Sequence, residues 1–185
     1  MDLEALVKVA APVIGVLGFS FGVWQYTKAQ RWKKAEFASK EIEKLLSNEI
    51  LVLACQMLDW ERGKSKVPAK FKDTSNNNDD FEYNWAWYER AMHASVDGPD
   101  GRGYSENERY CRVIFDDLFT FFNILNHYIS VDLIRIEDIR PIEYWTDQIF
   151  KSQLTNNNNL FTPYLEKFGY TGVTQLHQRF KSIPN

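Results

Sequence analysis

The chain is poor in the residues from which sites are usually built: two cysteines and three histidines in 185 residues. Cys55 and Cys111 both sit at apolar positions of helical segments in a domain read below as cytoplasmic, so no disulfide is expected and buried, reduced thiols are. His93, His127 and His177 fall on three different predicted helices. With no i, i+4 pair and no Cys/His cluster, no metal site is expected. The adjacent acids Asp116–Asp117 and Glu137–Asp138 point to different helix faces and make poor metal clamps. They read as solvated, with Asp117, near an apolar edge, able to bond to a neighbouring helix. No nucleophile, acid–base pair or cofactor motif stands out, so no catalytic, metal or cofactor residue is assigned. Runs of alternating polarity long enough for a strand are lacking, as are internal repeats.

Strong charge of one sign is lacking too, with a net of -3. That average hides an asymmetry. Up to Lys34 the chain carries five Lys/Arg against Asp2 and Glu4, while the rest holds 17 basic and 23 acidic residues. An acidic domain behind a basic collar is a poor general nucleic-acid binder, because phosphate affinity needs clustered Lys and Arg.

What the chain does have is VAAPVIGVLGFSFGVWQY, from Val9 to Tyr26. Between Val9 and Trp24 there is no charge, and Ser20 is the only polar side chain. From Ala5 to Tyr26 a helix would measure ~33 Å, enough to span the hydrocarbon core. Lys8 can snorkel at the outer end. Trp24, Tyr26 and Trp32 stand where an interfacial aromatic belt belongs, beside Lys28, Arg31, Lys33 and Lys34. That bias predicts a single-pass anchor in the inner or plasma membrane, N-terminus outside and the following domain cytoplasmic. A cleaved signal peptide fits less well, since the start is Asp-Leu-Glu rather than basic and no small-x-small site follows. A buried helix of a soluble core would seldom lack polar residues on every face. Ala11, Gly15, Gly18 and Gly22, spaced four, three and four, fall on one side of the helix. Small residues there let a second helix approach closely, so self-association into a homo-oligomer or pairing with a partner's helix is expected. Pro12 removes a backbone donor early in the helix and is a place for a kink.

The remainder predicts an all-α architecture, a helical bundle behind the membrane helix. Its organisation is an anchor over 1–27, a basic collar and stalk or first bundle helix over 28–62, and the rest of the helical domain over 63–185. Ala38, Ile42, Leu46, Ile50, Leu53, Met57 and Trp60 make a core-facing stripe, and Gly63 a C-terminal stop. No breaker separates Tyr26 from Glu61, so the anchor is expected to run straight into that helix. Residues 63–80 read as a polar loop, with Lys64, Lys66, Lys70 and Lys72 available to anionic headgroups. A second helix is expected from Asp79 or Asp80, with Phe81, Trp85, Tyr88 and Met92 on one face. Ser105 and Glu108 form a capping box ahead of the longest domain helix, striped by Cys111, Ile114, Phe115, Leu118, Phe121, Phe122, Leu125 and Tyr128. Shorter helices are expected around Pro141, after Thr162–Pro163 up to Gly169, and from Thr171, with a loop over the asparagines 156–159.

Two surface stretches qualify as candidate ligand sites. DGPDGRG, Asp97–Gly103, sets Arg102 and flexible backbone ahead of a helix N-terminus, a natural anion position. EYNWAWYER places Trp87 off the core face beside Arg90, where it can stack a base or meet a protein. The segment FDDLFTFFNILNHYISVDLIRIEDIRPIEYW, with its aromatic helix from Phe115 to Tyr128, the acidic turn Ile136–Ile139 and Trp145, resembles bacterial membrane-anchored helical proteins of unknown function. The resemblance covers residues 1–60 and 110–152 and implies no activity. Three functional expectations follow. The first is a membrane-tethered, non-enzymatic interaction module that self-associates and presents a cytoplasmic surface to a protein partner. The second is an effector whose domain senses a small anionic nucleotide, of the antiviral type, and whose anchors assemble to disturb the bilayer. The third is a membrane-surface enzyme, for which the residues are missing.

Overall fold

Seven α-helices and one small antiparallel sheet make up the described residues of the computed structural model, which are 3–60, 62–72, 80–95, 97–151 and 160–183, with backbone alone for 3–12. Helix α1 runs without a break from Leu3 to Ser47. It does not continue to Glu61. The Asn48 side chain accepts from the backbone N–H groups of Ile50 and Leu51 (3.0 and 3.2 Å) and opens α2, Glu49–Asp59. A short polar side chain competes for backbone donors, so it starts a helix better than it continues one. The restart rotates the buried face. Ala38 and Leu45 are buried in α1, and Leu51, Leu53, Ala54, Cys55 and Met57 in α2, while Leu46 and Trp60 of the predicted stripe are exposed.

Residues 62–84 correct the expectation of a loop followed by a helix. Strand β1, Arg62–Lys66, pairs antiparallel with β2, Asp80–Asn84, with Gly63 opposite Tyr83 and Ser65 opposite Phe81. Phe81 and Tyr83 alternate inward and are buried, the two-residue period of a half-buried strand. Gly63 is therefore not a helix stop. The Tyr83 ring lies across it, and a Cβ at Gly63 would overlap the phenol. The helix expected from Asp79 or Asp80 begins later, as α3, Trp85–Ala91, capped by Asn84, whose side chain accepts from the Trp87 N–H (3.0 Å). Residues 73–79 of the expected loop lie outside the described residues.

Helix α4, Glu106–Ser130, is the central element. Its capping box is formed as expected: Glu108 N–H donates to Ser105 Oγ, and Ser105 N–H donates to the Glu108 carboxylate. The predicted stripe from Cys111 to Leu125 is buried, with Tyr128 packed at its edge. Phe119 joins it, stacked on Phe115 and edge-on to Phe161. A 3-10 turn, Ile136–Ile142, containing Pro141, leads into α5, Glu143–Lys151. Helix α6, Thr162–Lys167, has Pro163 in its first turn and is followed by Gly169 at positive φ; α7, Thr171–Lys181, closes the bundle. The asparagines 156–159 lie outside the described residues. Helices α2, α3 and α7 and strand β2 pack around α4. At the α7 crossing, a Cβ on Gly172 would lie 3.1 Å from the Asn123 Cα and nearer still to its amide.

The fold is thus mostly helical, and its hairpin is the exception. Among the described residues no helix is long and apolar enough to cross a membrane. The part of the apolar run with described side chains, Val13–Tyr26, amounts to ~21 Å of helix against ~30 Å of hydrocarbon. The side chains of Lys8, Ala11 and Pro12 lie outside the described residues, and with them the expected snorkel, the first member of the small-residue face and the side-chain part of the expected kink.

Candidate functional site

Helix α1 falls into two unlike halves. From Val13 to Trp32 nearly every side chain is exposed, including Ile14 (69 %), Leu17 (64 %), Phe19 (75 %) and Trp32 (69 %). These residues lie at many angles around the helix, so the apolar surface is not one stripe but the whole circumference. Continuous burial begins at Lys34, which is half-buried, and is complete first at Ala38. The helix therefore projects from the domain as an apolar rod. Gly15, Gly18 and Gly22 have open space where side chains would stand. Trp24 stacks on Phe21 (5.7 Å), and the Lys28 ammonium lies over its ring (5.2 Å). That pairing of aromatic faces and cations suits a boundary between apolar and aqueous surroundings.

The domain grips α1 at its base. Lys34 Nζ pairs with Asp132 Oδ1 at 2.6 Å, and Phe37 meets Tyr128 edge to face at 5.2 Å. Among the collar residues, Lys28, Arg31, Trp32 and Lys33 are exposed beside Trp24 and Tyr26, and only Lys34 is drawn into the domain.

The second candidate region is bound up internally. Arg90 Nε donates to Glu108, and its Nη2 reaches Asp100 at 3.5 Å. Burial opposes the charge on Glu108, but bonds from Ser105 and Arg90 outweigh it and hold the carboxyl below its ordinary value. Arg102 is exposed, and its backbone N–H donates to Asp100. Trp87 is half-buried and packs against the core. Asp100 joins Arg90 to the Arg102 backbone, and at the start of α4 the Ser105 and Glu108 N–H groups serve the capping box. A cation matched to carboxylates offers an incoming anion little.

Chemistry-bearing groups elsewhere are also engaged. Cys55 and Cys111 are buried, and burial pushes each thiol up to about 12, the opposite of a reactive thiolate. Asp116, expected in solvent, is instead half-buried and accepts from Tyr164 Oη (2.6 Å) and Tyr170 Oη (3.0 Å). Burial raises its pKa against those bonds and the Arg112 charge. Asp117 pairs with Lys70 at 2.8 Å, the expected inter-element bond, though its partner stands in the β1–β2 connection. Lys64 pairs with Asp80. Sequence reasoning missed two groupings. Arg112 lies over the rings of Tyr104, Tyr164 and Phe168 (4.8–4.9 Å) and donates to Ala91 O, His93 O and Tyr104 Oη. Asp147 gathers His177 (3.3 Å), Lys181 (2.8 Å) and Lys151 (3.5 Å). Apart from Asp147–Lys151, an i, i+4 pair, the contacts that tie these groups to α6 and α7 join residues far apart in the chain, which local spacing does not signal. No group of three His, Cys, Asp or Glu suited to a metal occurs among the described residues. A surface depression of about 250 Å³ is lined by Phe71, Glu106, Arg109, Tyr110 and Val113, and there Tyr110 Oη donates to the Glu106 carboxylate at 2.6 Å.

The chain matches no protein-family model, no curated protein and no solved structure.

Proposed function

We propose that the protein is a membrane-tethered, non-enzymatic interaction module, held to a bilayer by the projecting half of α1. The observation that carries this reading is the exposure of large apolar side chains around the whole of that half, up to Trp32. Such a surface costs free energy in water in proportion to its area and is covered in lipid without any partner. Spanning the bilayer requires the residues before Val13 as well, giving ~33 Å from Ala5 to Tyr26. Lys28, Arg31, Lys33 and Lys34 favour a cytoplasmic domain at the inner or plasma membrane, with the N-terminus outside. The open small-residue face at Gly15, Gly18 and Gly22 supports pairing between copies in the membrane.

The test is extraction from membranes of the cells that express the full chain. Resistance to alkaline carbonate and release by detergent are expected. Leu17→Asp with Phe19→Lys should move the protein to the soluble fraction, since each charge at a helix centre costs ~2.5–3.5 kcal/mol on insertion. An N-terminal tag cleaved by protease outside intact cells, with a protected C-terminal tag, would support the orientation. A wild-type protein found monomeric and soluble would overturn the tether.

A further inference from the structure

We propose that the corner after α4, Val131–Leu133, is a second lipid contact that rests in the headgroup layer beside α1 and orients the domain on the membrane. The inference rests on the tether proposed above and adds a surface to it.

The argument begins with direction. Phe37 meets Tyr128, and three residues earlier on α1, Lys34 meets Asp132, four residues later. The C-terminal end of α4 therefore points along α1 toward its apolar half. Helix α7 runs parallel to α4: Gly172 lies against Asn123, Gln175 accepts from Asn126 (2.8 Å), and Arg179 donates to Ser130 Oγ (3.2 Å). Both helices thus end at the face of the domain nearest the projecting rod.

That face has an unusual tip. Helix ends in water are commonly finished with polar residues or glycine, but here Val131 and Leu133 are 49 % and 48 % exposed. Between them Asp132 adopts φ +59°, a left-handed conformation that a non-glycine residue enters seldom. The turn is held by Asp132 N–H to Ile129 O and by Leu133 N–H to Tyr128 O (2.9 Å), and the one acid at the tip is matched by Lys34. Arg31 and Lys33 are exposed nearby on α1, and Arg179 stands on α7 at the same level. Two apolar side chains among cations, with their acid neutralised, fit an anionic headgroup layer.

The height agrees. Lys34 lies eight residues past Tyr26, ~12 Å along the axis, and a tilt of ~20° lowers the domain side by a further ~3 Å. The tip then stands ~9 Å above the hydrocarbon edge, within side-chain reach of a headgroup layer ~5–7.5 Å thick.

The test uses the full chain in vesicles of phosphatidylcholine with phosphatidylglycerol. Leu133→Cys carries a polarity-sensitive fluorophore, and Arg109→Cys, exposed near the far end of α4, serves as the reference; both native thiols are buried. Blue-shifted emission and about threefold weaker acrylamide quenching are expected at position 133 alone. Val131→Asp in the same protein should abolish that protection without releasing it from the vesicles. If the protein floats with the vesicles but 133 is quenched as freely as 109, the second contact is overturned while the tether stands. A protein that does not float overturns both. If protection at 133 follows protein density in the vesicles rather than phosphatidylglycerol content, a second copy covers the tip and the lipid assignment falls.

Discussion

Arg112 is the best place to test whether long-range polar packing, rather than the aromatic core alone, holds this domain together. Its guanidinium touches three rings and three oxygens, joining the end of α3, residue Tyr104 ahead of α4, and α6. Arg112→Lys keeps the charge and most of the stem but loses the planar fork. A lysine can serve one or two of the oxygens and one ring face. The loss is then about one charged hydrogen bond, ~1.5–3 kcal/mol, and one or two partly desolvated ring contacts at ~0.5–1 kcal/mol each. The lower part of that range, ~2–3 kcal/mol, is expected because the lysine keeps its charge near the site, and it corresponds to a fall of roughly 5–10 °C in a domain of this size. Arg112→Met should cost more, ~3–4 kcal/mol, because the Ala91 and His93 carbonyls lose a donor and Asp116 loses a nearby cation. Urea unfolding of the detergent-solubilised full chain, followed by near-ultraviolet circular dichroism, measures both. Hydrogen exchange should quicken over 97–105 before it does in α2. Arg112→Lys within ~0.5 kcal/mol of wild type would refute the reasoning and leave the arginine a bystander on the helix surface.

Other expectations are more local. Gly172→Ala should cost ~1–3 kcal/mol by overpacking, since the added carbon would meet the Asn123 backbone as well as its amide; a stability equal to wild type would mean that α7 can slide freely. Gly63→Ala should displace the buried Tyr83 ring, read as altered near-ultraviolet dichroism with a loss of similar size. Burial lowers the His177 pKa from 6.5 despite Asp147. The unfolded chain then takes up the proton more readily, so this contribution is present above pH 6.5 and is lost as pH falls through the folded value. His177→Gln should flatten the stability profile between pH 7.5 and 5.5, and an unchanged slope would remove His177 as its source. Gly18→Leu should weaken crosslinking between copies in membranes; undiminished crosslinking would dismiss the small-residue face.

What was legible in the chain was local. The α4 stripe and the Ser105–Glu108 box follow from 3.6-residue periodicity and from two groups three positions apart. The hairpin was not legible, because RGKSK carries no apolar residue and the burial that makes it a strand comes from Phe81 and Tyr83 on its partner. Phe81, Trp85, Tyr88 and Met92 also satisfy a helical spacing, which hid the change of period at Asn84. At Asn48 the apolar steps of three and four continue across the break, so only the capping bonds disclose it. Asp116 read as part of a solvated helix face because its partners, Tyr164 and Tyr170, lie 48 and 54 residues away.

The uninterrupted course of α1 carries angular information from one half to the other. Gly18 and Ala38 are twenty positions apart on one helix, about five and a half turns. The side on which Gly18 stands open is therefore nearly opposite the side on which Ala38 is clasped by the domain. Two copies meeting through their glycines would swing their domains outward, back to back and out of mutual reach. Such a pair would leave both domain surfaces unobstructed, and its geometry would be dictated by the phase of a single rod rather than by any contact between domains.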